Sequence, residues 1–253
     1  MRILLPVLAA VIAFGGAQNG PDQAPTKIKI GSDRSAVNAL EFHPKGPGPF
    51  PAVIVLHGDF GANAWFNAQA QRLASKGYLV LALDLYGGEL PKTVEEAHIL
   101  ERGLEEGKVH DQITAAVDYL AKNQAVRAGS IGIVGWDMGG GYALDLAIRE
   151  PRIKAAVNCY GRLTTDPAQL AKIKGSLLCL FAGKDEGMPK ETIDQFQSAF
   201  KKAGKSATLH TYPDCPTCFM EPGSPYHNGR IDQVVIADAW SRIEKHLADA
   251  LRP

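Results

Sequence analysis

Apolar residues run unbroken through Ala52-Val53-Ile54-Val55-Leu56. A half-exposed strand would alternate, so this run predicts a strand buried on both faces. Comparable runs at residues 78–83, 131–134, 153–157, 176–181 and 207–212 predict further strands. Residues 27–30 and 36–42 read as a short opening hairpin. Between the strands the period changes to that of a helix. Residues 62–75 place Trp65, Ala68 and Leu73 at helical spacing and stop near Gly77. Residues 140–149, 190–203 and 231–250 predict three more helices. Residues 93–123 are polar on one side and predict two helices broken near Gly107. Strands alternating with helices imply an α/β chain: a mostly parallel sheet of about eight strands with helices on both faces.

In such a sheet, ligands bind outside the carboxyl ends of the strands. That selects the loops after Leu56, Leu83, Gly135, Phe181 and Tyr212. One of them stands out. Gly135-Trp136-Asp137-Met138-Gly139 lies between the strand 131–134 and the helix 140–149. Strand, Gly-x-nucleophile-x-Gly, helix is the pattern of a nucleophile elbow, whose middle residue is ordinarily Ser or Cys. Here it is Asp137. An aspartate there attacks carbon as a carboxylate, contacts a bound ligand, or serves as a helix cap that tolerates the strained backbone.

The length of 253 residues suits one α/β domain. Lys+Arg and Asp+Glu are equal at 27 each, so no global basic field exists to hold nucleic acid or anionic lipid. The expected partner is a small-molecule ligand or substrate, with no cofactor and no metal. Residues 1–17 read as a signal peptide: Arg2, an apolar stretch from Ile3 to Phe14, then small Gly15 and Ala17 before a cut. That stretch falls short of the ~20 residues a bilayer needs, so no span is expected after cleavage. Residues 18–26 form a leader and 27–253 the domain, secreted or periplasmic. Cys159 and Cys179 lie in strand runs and read as buried. Cys215-Pro216-Thr217-Cys218 is a disulfide candidate in an exported protein, with free thiols, a redox pair or half a metal site as alternatives.

The loops also carry a resemblance. The stretches are Phe50 to Gly58, Ala82-Leu83-Asp84-Leu85-Tyr86-Gly87, Gly135 to Leu144, Tyr160-Gly161-Arg162, Phe181-Ala182-Gly183-Lys184-Asp185, and Tyr212-Pro213-Asp214 with Phe219-Met220. In this order and spacing they resemble the dienelactone hydrolase family over roughly residue 27 to the end. The resemblance implies an α/β-hydrolase fold without a cap domain and the hydrolysis of lactones or esters by a Cys–His–Asp triad. It puts the acid at Asp185, the nucleophile at Asp137 and the histidine at Thr217. An accessory glutamate would fall near Gly58, beside Asp59, and a substrate-gripping arginine near Gly88. Backbone N–H groups of Asp59 and Met138 would form the oxyanion hole. His57 is expected to shape that loop, and Tyr86 and Arg162 to line the pocket.

Two triad positions are thus substituted. Breakdown of an acyl intermediate needs a base that activates water. His43, His98, His110, His210 and His246 fall on polar faces or strand edges and read as bystanders. His227, in the loop before the last helix, is the candidate replacement base. The expectation is a family member that is weakly active or non-catalytic. The alternatives are an active hydrolase with Asp137 as nucleophile, His227 as base and Asp185 as orienter, or a redox or metal role for Cys215 and Cys218.

Overall fold

The computed structural model describes residues 24–227 and 232–252. The predicted signal segment 1–17 and residues 18–23 of the leader lie outside them. Eight strands are present: β1 (Thr26–Ile30), β2 (Val37–Phe42), β3 (Phe50–Leu56), β4 (Leu79–Asp84), β5 (Val126–Trp136), β6 (Ile153–Cys159), β7 (Ser176–Ala182) and β8 (Thr208–Tyr212). They form one sheet in the order β1-β2-β4-β3-β5-β6-β7-β8. β1 pairs antiparallel with β2, and β2 with β4; every later pairing is parallel. The helices are α1 (Ala64–Ser75), α2 (Val94–Gly103), α3 (Glu106–Lys122), α4 (Met138–Arg149), a short α5 (Pro167–Leu170), α6 (Lys190–Lys202) and α7 (Gln233–Leu251). This is the α/β-hydrolase arrangement expected from the alternation. No helix among the described residues is long and apolar enough to cross a membrane.

The unbroken run in β3 has a simple cause. Side chains alternate across a strand, and both faces of this sheet are covered. Ile54 and Leu56 pack into one core with residues of α3, α4 and α6. Val53 and Val55 pack into the other with Phe66 and Leu73 of α1 and Trp240 and Ile243 of α7. Burying each such side chain contributes about 1.5–3 kcal/mol, so neither face tolerates a polar residue.

Three boundaries differ from expectation. The break between α2 and α3 falls at Leu104 and Glu105, both extended, and α2 ends on Gly103 rather than near Gly107. Gly107 sits in the first turn of α3, where backbone N–H groups have no helical partner to lose. β5 starts five residues early, at Val126, through small and polar positions that carry no burial signal. α5 went unread, although Asp166 caps it and Pro167 opens it.

β5 delivers the chain to the elbow, and glycines let it turn there. A Cβ on Gly139 would lie 2.4 Å from the His57 carbonyl oxygen, and one on Gly135 2.0 Å from the Gly139 oxygen. Both neighbours are backbone and cannot move aside. The elbow is therefore packed directly against the end of β3.

Candidate active site at the elbow

Asp137 holds φ 53° and ψ −120°, a region costly for a residue with a Cβ. It occupies the capping position of α4, yet its side chain makes no capping bond. The role of side-chain cap is not met. The carboxyl points instead into the site, where its Oδ2 accepts from the Cys218 thiol at 3.7 Å. Burial, then the charge and hydrogen bonding of the neighbouring Asp59, push the Asp137 carboxyl well above the usual carboxylate range.

Asp59 Oδ2 accepts from the Tyr226 hydroxyl at 2.5 Å. Asp59 Oδ1 is buried and has no hydrogen-bond partner among the described residues. The contacts continue outward: His98 Nε2 lies 3.0 Å from the Tyr226 oxygen. Because the phenol proton goes to Asp59, His98 acts as the N–H donor. His98, Tyr226 and Asp59 form one hydrogen-bonded row, and Asp137 pairs with Cys218.

His98 and Tyr226 had no sequence signal. His98 sits on α2 and was expected to be a bystander on a polar face; the structure corrects this, because α2 folds over the elbow. Tyr226 lies 167 residues from Asp59 in sequence. Cys218 was read only as half of a C-x-x-C pair.

The four cysteines are free. The expected Cys215–Cys218 bridge is not formed, because Cys218 takes φ 56° and aims its thiol inward at Asp137. Burial, above all, and the neighbouring acids Asp137 and Asp59 raise the Cys218 thiol well above its ordinary value. It is a thiol and not a thiolate at neutral pH. Thr217 Oγ1 lies 4.0 Å from Cys218 Sγ, so the position of the family histidine is beside the elbow.

The remaining candidates are distributed as follows. Asp185 stays in its own loop: its Oδ1 accepts from the Gly187 N–H at 2.9 Å. It is not brought into hydrogen-bond contact with Asp137 or His227. His227 Nε2 lies 3.3 Å from the Cys218 carbonyl oxygen, and its buried Nδ1 has no partner among the described residues. His57 is fully buried; its Nδ1 contacts the Gly58 oxygen at 2.7 Å and its Nε2 accepts from Leu85 N–H at 3.1 Å. It pins the loop after β3 to the loop after β4. Tyr86 stacks near His57, with ring centroids 4.8 Å apart, and its hydroxyl reaches Met138 Sδ at 3.6 Å. That contact sets it against the first residue of α4. Met138 opens α4, so its N–H has no carbonyl one turn back.

Arg162 is paired with acids of α3 and α4. Its guanidinium binds Asp145 and lies 3.2 Å from Glu106. With His110, these two carboxylates bring ligand-type atoms within 4.8 Å of one another. Arg162 already supplies the positive charge that the two acids require. Around Asp137 itself the neighbouring charges, Asp59 and Glu101, are negative.

Residues 37–251 match the model of the dienelactone hydrolase family. Two curated relatives, from Methylorubrum extorquens and Escherichia coli K12, are both named "Putative carboxymethylenebutenolidase". The first is 28% identical over 86% of this chain and 78% of its own. The second is 30% identical over 85% and 83%. Among solved structures, the dienelactone hydrolase of Anabaena variabilis superposes with a TM-score of 0.66 at 23% identity, covering 90% of this chain and 99% of its own. A dienelactone hydrolase-like promiscuous phosphotriesterase from metagenomic libraries superposes at 0.79 with 22% identity, covering 90% and 99%. At these identities the two structures attest the fold.

Proposed function

Because the chain belongs to the dienelactone hydrolase family, we propose that its elbow binds a small carbonyl compound, a lactone or an ester, with little or no covalent turnover. One observation carries this reading: the residue at the turn between β5 and α4 is an aspartate whose buried carboxyl touches the Cys218 thiol, and burial pushes that carboxyl well above the usual carboxylate range. A protonated Asp137 is a poor nucleophile. The cradle for a carbonyl oxygen persists, since it is made of backbone N–H groups and the start of a helix. The parts that release an acyl group do not. Thr217 has no basic atom, and Asp185 is engaged with Gly187.

The test is hydrolysis of p-nitrophenyl acetate by the mature protein, followed by mass mapping of the elbow peptide. The expected rate is close to that of buffer, with no ester on Asp137, because loss of a triad member removes orders of magnitude. Saturable hydrolysis that disappears in Asp137→Ala would overturn this reading. It would favour the second one, in which Asp137 attacks and His227 activates water. That second reading has its own support in the placement of His227 on the carbonyl of Cys218, whose thiol touches Asp137.

The proposal includes export. Its support is the charged, then apolar, then small-residue order of residues 1–17. Amino-terminal sequencing of protein recovered from the periplasm or medium is expected to begin at Gln18. A chain that retains Met1 would refute cleavage.

A further inference from the structure

We propose that the cleft between α1 and the edge strands β1, β2 and β4 binds a small linear zwitterion, a short peptide or an ω-amino acid. The ligand's carboxylate rests on Lys27 and Lys29, and its ammonium on Asp84 and Asn67. The cleft is a cavity of about 530 Å³, within the range of roughly 300–1,000 Å³ usual for small-molecule sites. Asp59, Asp137, Cys218 and Tyr226 of the elbow do not line it. It is a second site, and its occupation is independent of what the elbow binds.

The floor of the cleft follows from strand register. Lys29 pairs with Asn38, and Asn38 with Asp84. Lys27 pairs with Leu40, and Leu40 with Ala82. Paired residues point to the same face of a sheet, so two side-chain rows cross the three strands. Val80 and Ala82 place that face on the side of α1, which packs on β4 and β2. Each row begins with a lysine on β1. One row ends in the Asp84 carboxylate and the other in a methyl group. Positive charge therefore lies along one wall and negative charge at the other. Leu40, Ala82 and Ala62 supply an apolar middle.

The polar groups at both ends are left without partners. Both lysines are exposed, and neither forms an ion pair or hydrogen bond among the described residues. Asp84 is held by N–H groups of its own turn, Tyr86 at 3.2 Å among them, and has no cation beside it among the described residues. Asn67 Nδ2 donates to the Ala62 carbonyl at 3.2 Å, which fixes the amide. Its Oδ1 is buried and accepts from nothing among the described residues. An ammonium group has three N–H donors and a positive charge, so it satisfies that oxygen and neutralises Asp84 together. Spacing sets the length of the ligand. Lys29 and Asp84 stand two strand spacings apart, roughly 10 Å. A hydrogen bond of about 2.8 Å at each end leaves roughly 4–5 Å between the ligand's charges. A dipeptide spans that gap; an α-amino acid, with both groups on one carbon, does not.

The experiment titrates the mature protein at neutral pH with alanyl-alanine and with ε-aminocaproate, read by calorimetry and by saturation-transfer NMR. Saturable binding of at least one is expected, and the tighter of the two tells a peptide site from an ω-amino acid site. N-acetylation of the better ligand is expected to weaken it by about tenfold or more, since the buried end loses a charged donor. Amidation of its carboxylate is expected to cost about fivefold, because the lysine end is exposed. The double variant Lys27→Met, Lys29→Met keeps the apolar stems and is expected to cost about the same for the free ligand and nothing for the amide. Asp84→Asn should behave as acetylation does; if that variant unfolds, the acetylated ligand gives the same test on the intact protein. Failure of both zwitterions to bind at millimolar concentration would overturn the inference. So would an acetylated ligand or free alanine that binds as tightly as the better zwitterion, or unchanged affinity in a folded lysine double variant.

Discussion

The double variant Asp137→Cys, Thr217→His is expected to hydrolyse p-nitrophenyl acetate at least about 100-fold faster than the unmodified chain. The reason is that the substitutions restore side chains to a frame that is still in place. The elbow backbone is held by Gly139, which lies against the end of β3, and by Gly135, which lies against Gly139; neither has room for a Cβ. The backbone donors of the oxyanion hole do not depend on side-chain identity. Residue 217 lies next to Cys218, whose thiol reaches Asp137. The loop that carries Asp185 is tied to the loop that carries residue 217: the Gly183 N–H donates to Tyr212 O at 2.8 Å and the Lys184 N–H to Cys215 O at 2.9 Å. An imidazole at 217 would compete with the Gly187 N–H for the Asp185 carboxylate. Each single variant is expected to remain slow, because triad members act as a unit. The check is steady-state kinetics on the four proteins with their melting curves. A double variant that folds as well as the parent but is no faster would show that the frame has moved as well as the side chains.

Stability is expected to fall by about 3 kcal/mol as the pH drops from neutral to 4, with His57 as the source. Burial lowers the His57 imidazole to about 4, against a smaller opposing effect of its hydrogen bond with the Gly58 carbonyl. Protonation would leave an N–H facing the N–H of Leu85, which Nε2 now accepts. The unfolded chain has an ordinary histidine near 6.5. Between about 6.5 and about 4 the unfolded state therefore binds more protons than the native state, and stability decreases as pH falls through that window. The difference of roughly 2.5 units corresponds to about 3 kcal/mol. Asp137 works with the opposite sign: its raised carboxyl keeps a proton in the native state that the unfolded chain releases, so its contribution weakens as pH rises. Comparison with His57→Gln separates the two. Urea unfolding at several pH values is expected to show a steep acid slope in the parent and a shallower one in the variant. Equal slopes would remove His57 as the cause.

The acidic row at the elbow also bears on how this chain relates to its family. Cys218 places its sulfur 3.7 Å from an oxygen of Asp137, the residue at the elbow. Burial and the adjacent acids keep that sulfur protonated, so proximity alone does not restore a nucleophile.

Local pattern determined the frame of this protein. The continuous apolar runs marked strands buried on both faces, because each run must satisfy two cores at once. The glycines at 135 and 139 marked the elbow, because only residues without Cβ let the turn close on itself at Gly135 and approach the end of β3 at Gly139. Spacing along the chain also identified Asp137 as the residue at the turn. What Asp137 contacts was decided by tertiary structure alone. Asp59, His98, Cys218 and Tyr226 come from the loop after β3, from α2 and from the long loop after β8, and they converge because the carboxyl ends of parallel strands share one edge of the sheet. Arg162 was read from its loop as a pocket residue and is claimed by Asp145 and Glu106 instead. Charge and hydrogen bonding act over a few ångströms of space, whatever the separation along the chain. The protonation of Asp137 and the roles of its neighbours therefore depend on contacts that no local stretch of sequence contains.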